Sequence, residues 1–389
     1  MSVLLPLTTT IFAIPATLAS LYFLLQCLLG RQPIAERGDA SQGQSLAILM
    51  PAHNEVGVIE KTLPPLLEQL TPEDRLLVVA DNCSDDTAGV ARSHGVEVIE
   101  RNDLAHVGKG YALAFGVAHL NASPPEALVC VDADCEVSDV RALADLAVAL
   151  DRPVQGCYTL TASEGASAIE KLSVFAFFVK NCVRARALQR MGAPGSIAGT
   201  GFALPWRLHS FLQPSGSLVE DAELSAELMA KGEGVWFTES VRITSPSTKR
   251  KDAVLQQRTR WEAGRLRSMR SMVAAAMQAP RKDVPHLAAA LDILVPPLAL
   301  LLAVQTALLV PAFVSYQSLG AFYPFAWVIL GLAAVAVGTL LCVGAAGQSY
   351  IRLHDFLAIP KYALGKMPIY FDVLRGKTSA WERSERSDG

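Results

Sequence analysis

Residues 127–134 read ALVCVDAD. Five apolar residues, Ala127 to Val131, run directly into two aspartates, Asp132 and Asp134. An apolar run without polar alternation suits a strand covered on both faces, as strands of parallel sheets are. LAILMP (46–51), RLLVVAD (75–81) and GVEVIE (95–100) have the same character. Helical patterns such as DDTAGVARSH (85–94) and KGYALAFGVAHL (109–120) alternate with these runs. Strands separated by helices predict an α/β domain with a mostly parallel sheet. Ligands of such sheets bind beyond the carboxyl ends of the strands, so the loops that follow the strands are where chemistry is expected.

Three of those loops are polar: PAHNE (51–55), DNCSDD (81–86) and DADC (132–135). Asp132 and Asp134 are two residues apart, so in extended chain they point the same way. Paired carboxylates repel, and a shared proton or a divalent cation relieves that. Magnesium or manganese takes one or two protein carboxylates and completes its shell with water and phosphate oxygens. Taken singly, D-x-D also fits a solvated turn. GKGYA (108–112) lacks the frame of a phosphate loop, and no G-x-G-x-x-G follows a first strand. A bound diphosphate would therefore depend on metal and side chains.

The second half opens with EGASAIEKLSVFAFFVKNCVRARALQRM (164–191), an apolar-faced helical pattern ending in arginines and followed by Gly192 and Pro194. Such a helix packs on the domain or on a membrane. The glycines of IAGTGFALP (197–205) let backbone approach a ligand closely. SLVEDAELSAELMAKG (217–232) places Glu220 and Asp221 in the first turn of a helix, where acids also complement the helix dipole. In QQRTRW (256–261), Gln257, Arg260 and Trp261 are spaced i, i+3, i+4 and share a helix face, while Arg258 points elsewhere. Attraction to anionic headgroups is the other reading of this basic segment.

The chain has 389 residues, of which 51% are hydrophobic, and its apolar excess lies at the two ends. Val3–Leu29, Leu287–Tyr316 and Ala321–Ala346 read as three membrane spans, the second carrying Asp292. No basic segment precedes the first span and no small-x-small site follows it, so it reads as an anchor rather than a cleaved leader. Basic residues cluster after the first span (Arg31, Arg37), before the second (Arg265, Arg267, Arg270, Arg281, Lys282) and after the third (Arg352, Lys361, Lys366, Arg375, Lys377). The positive-inside rule then predicts an external N-terminus, with residues 31–285 and the tail inside. The expected organisation is a span over 1–30, a cytosolic domain over 31–285, two spans over 286–347 and a tail over 348–389 in the cytosol or along the membrane surface. The stretch HDFLAIPKYALGKMPIYFDVLRG (354–376) suits the surface.

A net charge of −3, with no basic tract, gives no reason to expect a nucleic-acid partner. Seven scattered cysteines without C-x-x-C spacing argue against a disulfide framework or a structural zinc site and fit a reduced compartment. Cys130 and Cys135 read as buried small residues, and His53, with no second histidine nearby, as a hydrogen-bonding group. The sequon NAS (121–123) falls in the segment assigned to the cytosol.

The ordered series PAHNE, ADNCSDDT, DAD, GTG, ED and QQRTRW, between spans at both ends, resembles the membrane-bound inverting glycosyltransferases of family 2. Cellulose and hyaluronan synthases and many exopolysaccharide glycosyltransferases belong to that family. The resemblance covers about residues 44–275, with a weaker echo in WERSER (381–386). It implies a GT-A fold, a nucleotide-binding α/β sheet continuing into an acceptor-binding half. It also implies that Asp81 helps hold the nucleotide base, with Pro51, His53 and Glu55 lining the same pocket and Lys109 near the nucleotide. Asp132 and Asp134 match the D-x-D, with Asp134 the ligand of Mg2+ or Mn2+. Asp221 matches the catalytic base, and Gly199, Thr200, Gly201 and Glu220 match residues on the diphosphate and acceptor side. Gln257, Arg260 and Trp261 match the Q-x-x-R-W motif that cradles the diphosphate and the acceptor end.

The implied reaction moves a sugar from a nucleotide sugar, UDP being favoured, to a lipid-linked or saccharide acceptor at the cytosolic membrane face. Best-known synthases of the family have more C-terminal spans than the two expected here. Single addition to a lipid-linked acceptor is therefore the main expectation, and a processive synthase, with or without a partner subunit, the alternative. A non-catalytic nucleotide-sugar sensor is the alternative from another class. Three spans are too few to enclose a transport path.

Overall fold

The computed structural model describes residues 4–34, 43–217, 219–247, 264, 266, 269–280, 283–344 and 350–375. Its centre is an eight-stranded sheet in the order β3-β2-β1-β4-β7-β6-β8-β5. The strands are β1 (Leu46–Ala52), β2 (Arg75–Asp81), β3 (Glu97–Arg101), β4 (Ala127–Cys130), β5 (Glu136–Val137), β6 (Val154–Thr161), β7 (Phe202–Pro205) and β8 (Trp236–Pro246). From β3 to β4 all pairings are parallel, as the strand–helix alternation implies. β7 then enters antiparallel between β4 and β6, so the second half of the sheet is mixed.

Each apolar run serves two cores. Leu46, Ile48 and Met50 of β1 face one layer with Ile59 and Leu63 of α2 (Val56–Leu67) and Leu143 of α5 (Val140–Leu150). Ala47 and Leu49 face the other, with Leu113 and Val117 of α4 (Lys109–Leu120) and Leu228 of α8 (Glu220–Ala230). Period-two side chains buried on both faces are why these strands read as continuous apolar runs. α3 (Thr87–Ser93) packs beside β2 and β3. The chain runs outward from β1 to β2 and β3, then returns to place β4 on the other side of β1. That reversal opens a crevice between the carboxyl ends of β1 and β4.

The 164–191 pattern becomes α6 (Ala168–Phe178), a π turn (Val179–Val183) and α7 (Arg184–Arg190), nearly collinear in sequence. Cys182 of the π turn is bridged to Cys157 of β6, with S–S 2.12 Å and Cα–Cα 5.5 Å. Sequence spacing, which argued against a disulfide framework, does not reveal this single bridge, because packing of the helix on β6 brings together residues 25 apart.

Among the described residues, three helices are long and apolar enough to cross a membrane: α1 (Leu4–Gly30), α11 (Leu298–Leu319) and α12 (Phe322–Gly344). After α9 (residues 269–278), the stretch read as one span, Leu287–Tyr316, begins in α10 (Val284–Leu294), breaks at Val295–Pro297 and resumes as α11. Pro296 and Pro297 cause the break, since proline lacks the N–H that a helix interior needs and disfavours helix in the residue before it. Within the bundle, polar groups find partners on neighbouring helices: Thr17 Oγ1 donates to the Trp327 carbonyl (2.8 Å) and Gln305 Nε2 to Ser20 Oγ (3.1 Å). The tail folds into a 3-10 turn (Leu353–Ala358) and α13 (Ile359–Leu374), which packs on α6 and α11.

Arginines of α7 join the bundle to the sheet. Buried Arg186 pairs with Glu239 of β8 (Nε–Oε2 2.9 Å) and donates to the Gly30 carbonyl at the end of α1 (3.3 Å). Arg184 binds Asp292 of α10 through Nη2 (2.7 Å) and Nε (3.0 Å), and Gln26 Nε2 donates to the same oxygen (2.6 Å). Arg190 reaches the Leu29 and Pro33 carbonyls.

Candidate active site

The loops after β1 and β2 are tied together: Asn54 Oδ1 accepts from the Ser84 N–H (2.6 Å) and the Glu55 N–H donates to Thr87 Oγ1 (2.8 Å). Asn54 and Asn82 hold φ of 51° and 50°, the left-handed region that asparagine tolerates best among residues bearing a side chain. His53 Nδ1 lies 2.6 Å from the Asp81 carbonyl oxygen. A carbonyl only accepts, so that nitrogen carries the proton. Pro51 is the penultimate residue of β1, opposite Val79 of β2.

Asp81, at the end of β2, is buried, and its Oδ1 accepts from Arg101 (2.6 Å) and from the Asn82 amide (3.1 Å). Arg101 in turn binds Asp103 (3.1 Å) and the His106 carbonyl (2.7 Å), and its guanidinium lies 5.3 Å from the Tyr111 ring. Arg101 was not singled out in the sequence. Its signal is weak: one arginine closing an edge strand.

Lys109 begins α4, pairs with Asp132 and donates to the Gly199 carbonyl (2.8 Å). Burial alone would lower its affinity for a proton, but Asp132 and Glu220 outweigh burial and hold the ammonium charged. Neighbouring Gly110 lets the Ser215 backbone pack against the start of α4, because a Cβ there would come within 2.6 Å of the Ser215 carbonyl oxygen. The Asp132 N–H donates to Thr200 Oγ1 (2.9 Å), so the GTG segment closes over the acidic pair. Gly201 has φ of 63°, and a Cβ there would lie 2.1 Å from Ile243 Cγ1.

Asp132, Asp134 and Cys135 each offer a ligand atom, all within 4.8 Å of one another. Burial, with the charges of Asp134 and Asp132, pushes the Cys135 thiol far up. A neutral thiol leaves the two carboxylates as the donors, which fits a hard cation such as Mg2+ or Mn2+. Glu220 and Asp221 stand in the first turn of α8 on the opposite wall. Burial pushes the Glu220 carboxyl up to about 7, with Lys109 opposing and Asp221 adding to the rise. Asp221 Oδ1 accepts from the Ala222 N–H (2.8 Å), and Ser225 Oγ holds both the Asp221 carbonyl (2.7 Å) and the Ile197 N–H (2.9 Å).

Gly108, Lys109, Asp132, Asp134, Gly199, Thr200, Glu220 and Asp221 line one cavity of about 460 Å³, which extends to α10, α11 and α13. His53, Glu55 and Asp81 stand apart from it, in the loops beyond β1 and β2. Gln257, Arg260 and Trp261 lie outside the described residues.

A buried glutamine that the sequence reading passed over organises the GTG segment. Gln155 of β6 accepts from the Ala198 N–H (2.9 Å) and donates to the Thr200 (3.0 Å) and Gly201 (3.1 Å) carbonyls. An amide side chain near the start of β6 is the available signal, since a buried polar group needs partners. Gln155→Leu keeps the volume and strands those groups, so a loss of about 1–3 kcal/mol is expected, together with weaker donor binding. Thermal unfolding and donor titration of the variant check this.

The profile of glycosyl transferase family 2 matches residues 47–169, and that of glycosyl transferase family group 2 matches residues 128–341. The chain belongs to glycosyl transferase family group 2. The chain is 39% identical over 79 residues to the 4,4'-diaponeurosporenoate glycosyltransferase of Staphylococcus aureus (strain bovine RF122 / ET3-1). That match takes in 20% of the chain and 21% of the relative, so the chain spans about a fifth of the length of the curated relatives it matches. Among solved structures it is similar to mannosyltransferase PcManGT from Pyrobaculum calidifontis, a complex with GDP-Man and Mn2+. The TM-score is 0.56 at 18% identity, covering 97% of this chain and 100% of the other, and the shared fold is GT-A.

Proposed function

We propose that this glycosyltransferase transfers a sugar, with inversion, from a nucleoside-diphosphate sugar to a lipid-linked or saccharide acceptor at the cytosolic face of the cell membrane. The observation that carries this reading is the cavity, which joins Asp132, Asp134 and Asp221 to the membrane helices. Asp221 takes the proton of the acceptor hydroxyl. The acceptor oxygen bonds to the anomeric carbon while the bond to the diphosphate breaks, its electron pair leaving on the nucleoside diphosphate. One in-line displacement inverts that carbon. Asp134, beside Asp132, would hold Mg2+ or Mn2+, which would supply charge neutralisation for the diphosphate. Asp81 with Pro51, His53 and Glu55 holds the base, UDP being favoured, and Lys109 keeps Asp132 and the Gly199 backbone in register with the donor.

Gln257, Arg260 and Trp261 keep the diphosphate and acceptor roles that the Q-x-x-R-W resemblance implies. The basic residues flanking the spans support a cytosolic 31–285 domain. GDP-Man in the archaeal neighbour keeps a guanine donor in view. The test is a thermal-shift panel of nucleotide sugars with and without manganese. The expected result is a shift that needs both metal and one donor and disappears in Asp134→Ala. A shift that ignores metal, or survives in Asp134→Ala, overturns the metal assignment. Incubating membranes with the donor found then separates one added sugar from long polymer, the mark of a processive synthase.

A further inference from the structure

Among the described residues Cys157–Cys182 is the one disulfide, and it joins two irregular stretches of backbone. Cys182 lies in the π turn. Cys157 follows the point in β6 where the ladder with β8 shifts register, passing from Gly156 opposite Thr238 to Cys157 opposite Arg242. π turns and ladder irregularities recur beside functional sites, where they aim side chains that a regular helix or strand would not. Chain neighbours of both sulfurs line the cavity: Val179, Lys180 and Asn181 on the π turn, Gln155 and Tyr158 on β6. Gln155 also holds the GTG segment, so the bridge links the π turn to the strand that orders the wall beside Asp132. Both cysteines are buried in the cluster that contains Leu172, Phe175 and Phe178. As thiols they remain small apolar side chains suited to that cluster, so the packing accommodates either form. The proposed cytosolic placement puts both on the side of the membrane where disulfides are as a rule transient or redox-sensing.

We propose that Cys157 and Cys182 form a redox switch on the cavity wall. Bridged, they clamp the π turn to β6 and fix the wall; reduced, they release the turn and lower sugar transfer. The proposal rests on the transferase reading for the second effect only. Opening the bridge takes a dithiol as reductant. A thiolate of the reductant attacks one bridge sulfur and expels the other. Its second thiol then closes on the first, expelling the remaining cysteine, and the reductant leaves as a disulfide. Two electrons and two protons end on Cys157 and Cys182. Because the sulfurs are buried, attack requires the turn to open, and opening is the motion that disturbs the cavity lining.

The experiment uses the full chain in nanodiscs, poised in mixtures of oxidised and reduced dithiothreitol. Free thiols are blocked with N-ethylmaleimide under denaturing conditions, and bridged ones are then reduced, alkylated with iodoacetamide and assigned by mass spectrometry. The expected result is five maleimide-labelled cysteines in the oxidised chain and seven in the reduced one. Along the same titration transfer is expected to fall about fivefold or more, and deuterium exchange in Val179–Val183 to rise by a similar factor. Reoxidation should restore both. Cys182→Ala should show the reduced level of transfer at every poise. Cys27→Ala/Cys342→Ala, which removes the other two cysteines of the same cluster, should keep the response. Seven labelled cysteines in the oxidised chain, transfer that stays flat as the bridge opens, or a response that survives in Cys182→Ala overturns the proposal. Loss of folding on reduction does so too, since the bridge would then be a structural staple. If no donor supports transfer, the transferase reading fails while deuterium exchange still decides the clamp. Transfer that runs without responding to the poise leaves that reading and removes the switch.

Discussion

Asp221→Asn is expected to lower glycosyl transfer by about 10²–10⁴-fold, the usual contribution of a positioned general base. Asparagine keeps an oxygen for the Ala222 N–H, now held at 2.8 Å, so the first turn of α8 retains its local support. The variant should therefore unfold at the temperature of the parent protein. Donor binding should also persist, because the metal and base contacts are assigned to Asp134 and Asp81, on other loops. Activity in membranes and donor titration of the same preparation give the two readings. Transfer within a factor of about two of the parent would remove Asp221 from the chemistry. Unaltered glycan in cells carrying this variant would favour the sensor alternative.

Arg186→Ala has the largest expected effect on stability. The guanidinium is 2% exposed and joins three elements: Glu239 of β8, α7 itself and the Gly30 carbonyl that ends the membrane helix α1. Glu239 Oε2 also accepts the Ile34 N–H (3.0 Å), so the first chain segment beyond the membrane is anchored at the same point. Removing the arginine leaves a buried carboxylate without its cation, at a cost of about 3–5 kcal/mol. The same deletion frees the anchor from the sheet. A lower unfolding temperature in detergent, with protease cleavage appearing near residues 31–34, is the result to look for. Arg186→Ala/Glu239→Gln should recover part of the loss because the buried charge is gone. If the single variant unfolds with the parent protein, the pair is not the joint between domain and membrane.

The parallel half of the sheet was legible because strands buried on both faces read as apolar runs with no tertiary information needed. The acidic pair was legible for a related reason: Asp132 and Asp134 are neighbours in sequence as well as in space. Legibility failed where partners are distant. Nothing around residue 155 announces that its amide spans to residues 198–201, and nothing near Asp81 names Arg101. The second span was read as one helix because hydropathy does not see the two prolines that divide α10 from α11. Q-x-x-R-W was legible as a helix face, and its residues lie outside those the structure describes.

By itself the sequence determined the local facts: which segments are strands, where the charges fall, and which helices are apolar enough to leave water. Family membership followed from the order of short motifs. Tertiary structure decided what those pieces do to one another. The antiparallel entry of β7 brings Thr200 to the backbone of Asp132 and Gly199 to Lys109. Packing of α6, the π turn and α7 against the bundle turns a run of clustered arginines into buried ion pairs with Asp292 and Glu239. The same packing extends the cavity beside Asp132 and Asp221 to α10, α11 and α13. Period and hydropathy are sums over neighbouring residues, while ion pairs, amide bridges and cavities depend on distances between residues tens to hundreds of positions apart, which only the folded chain sets.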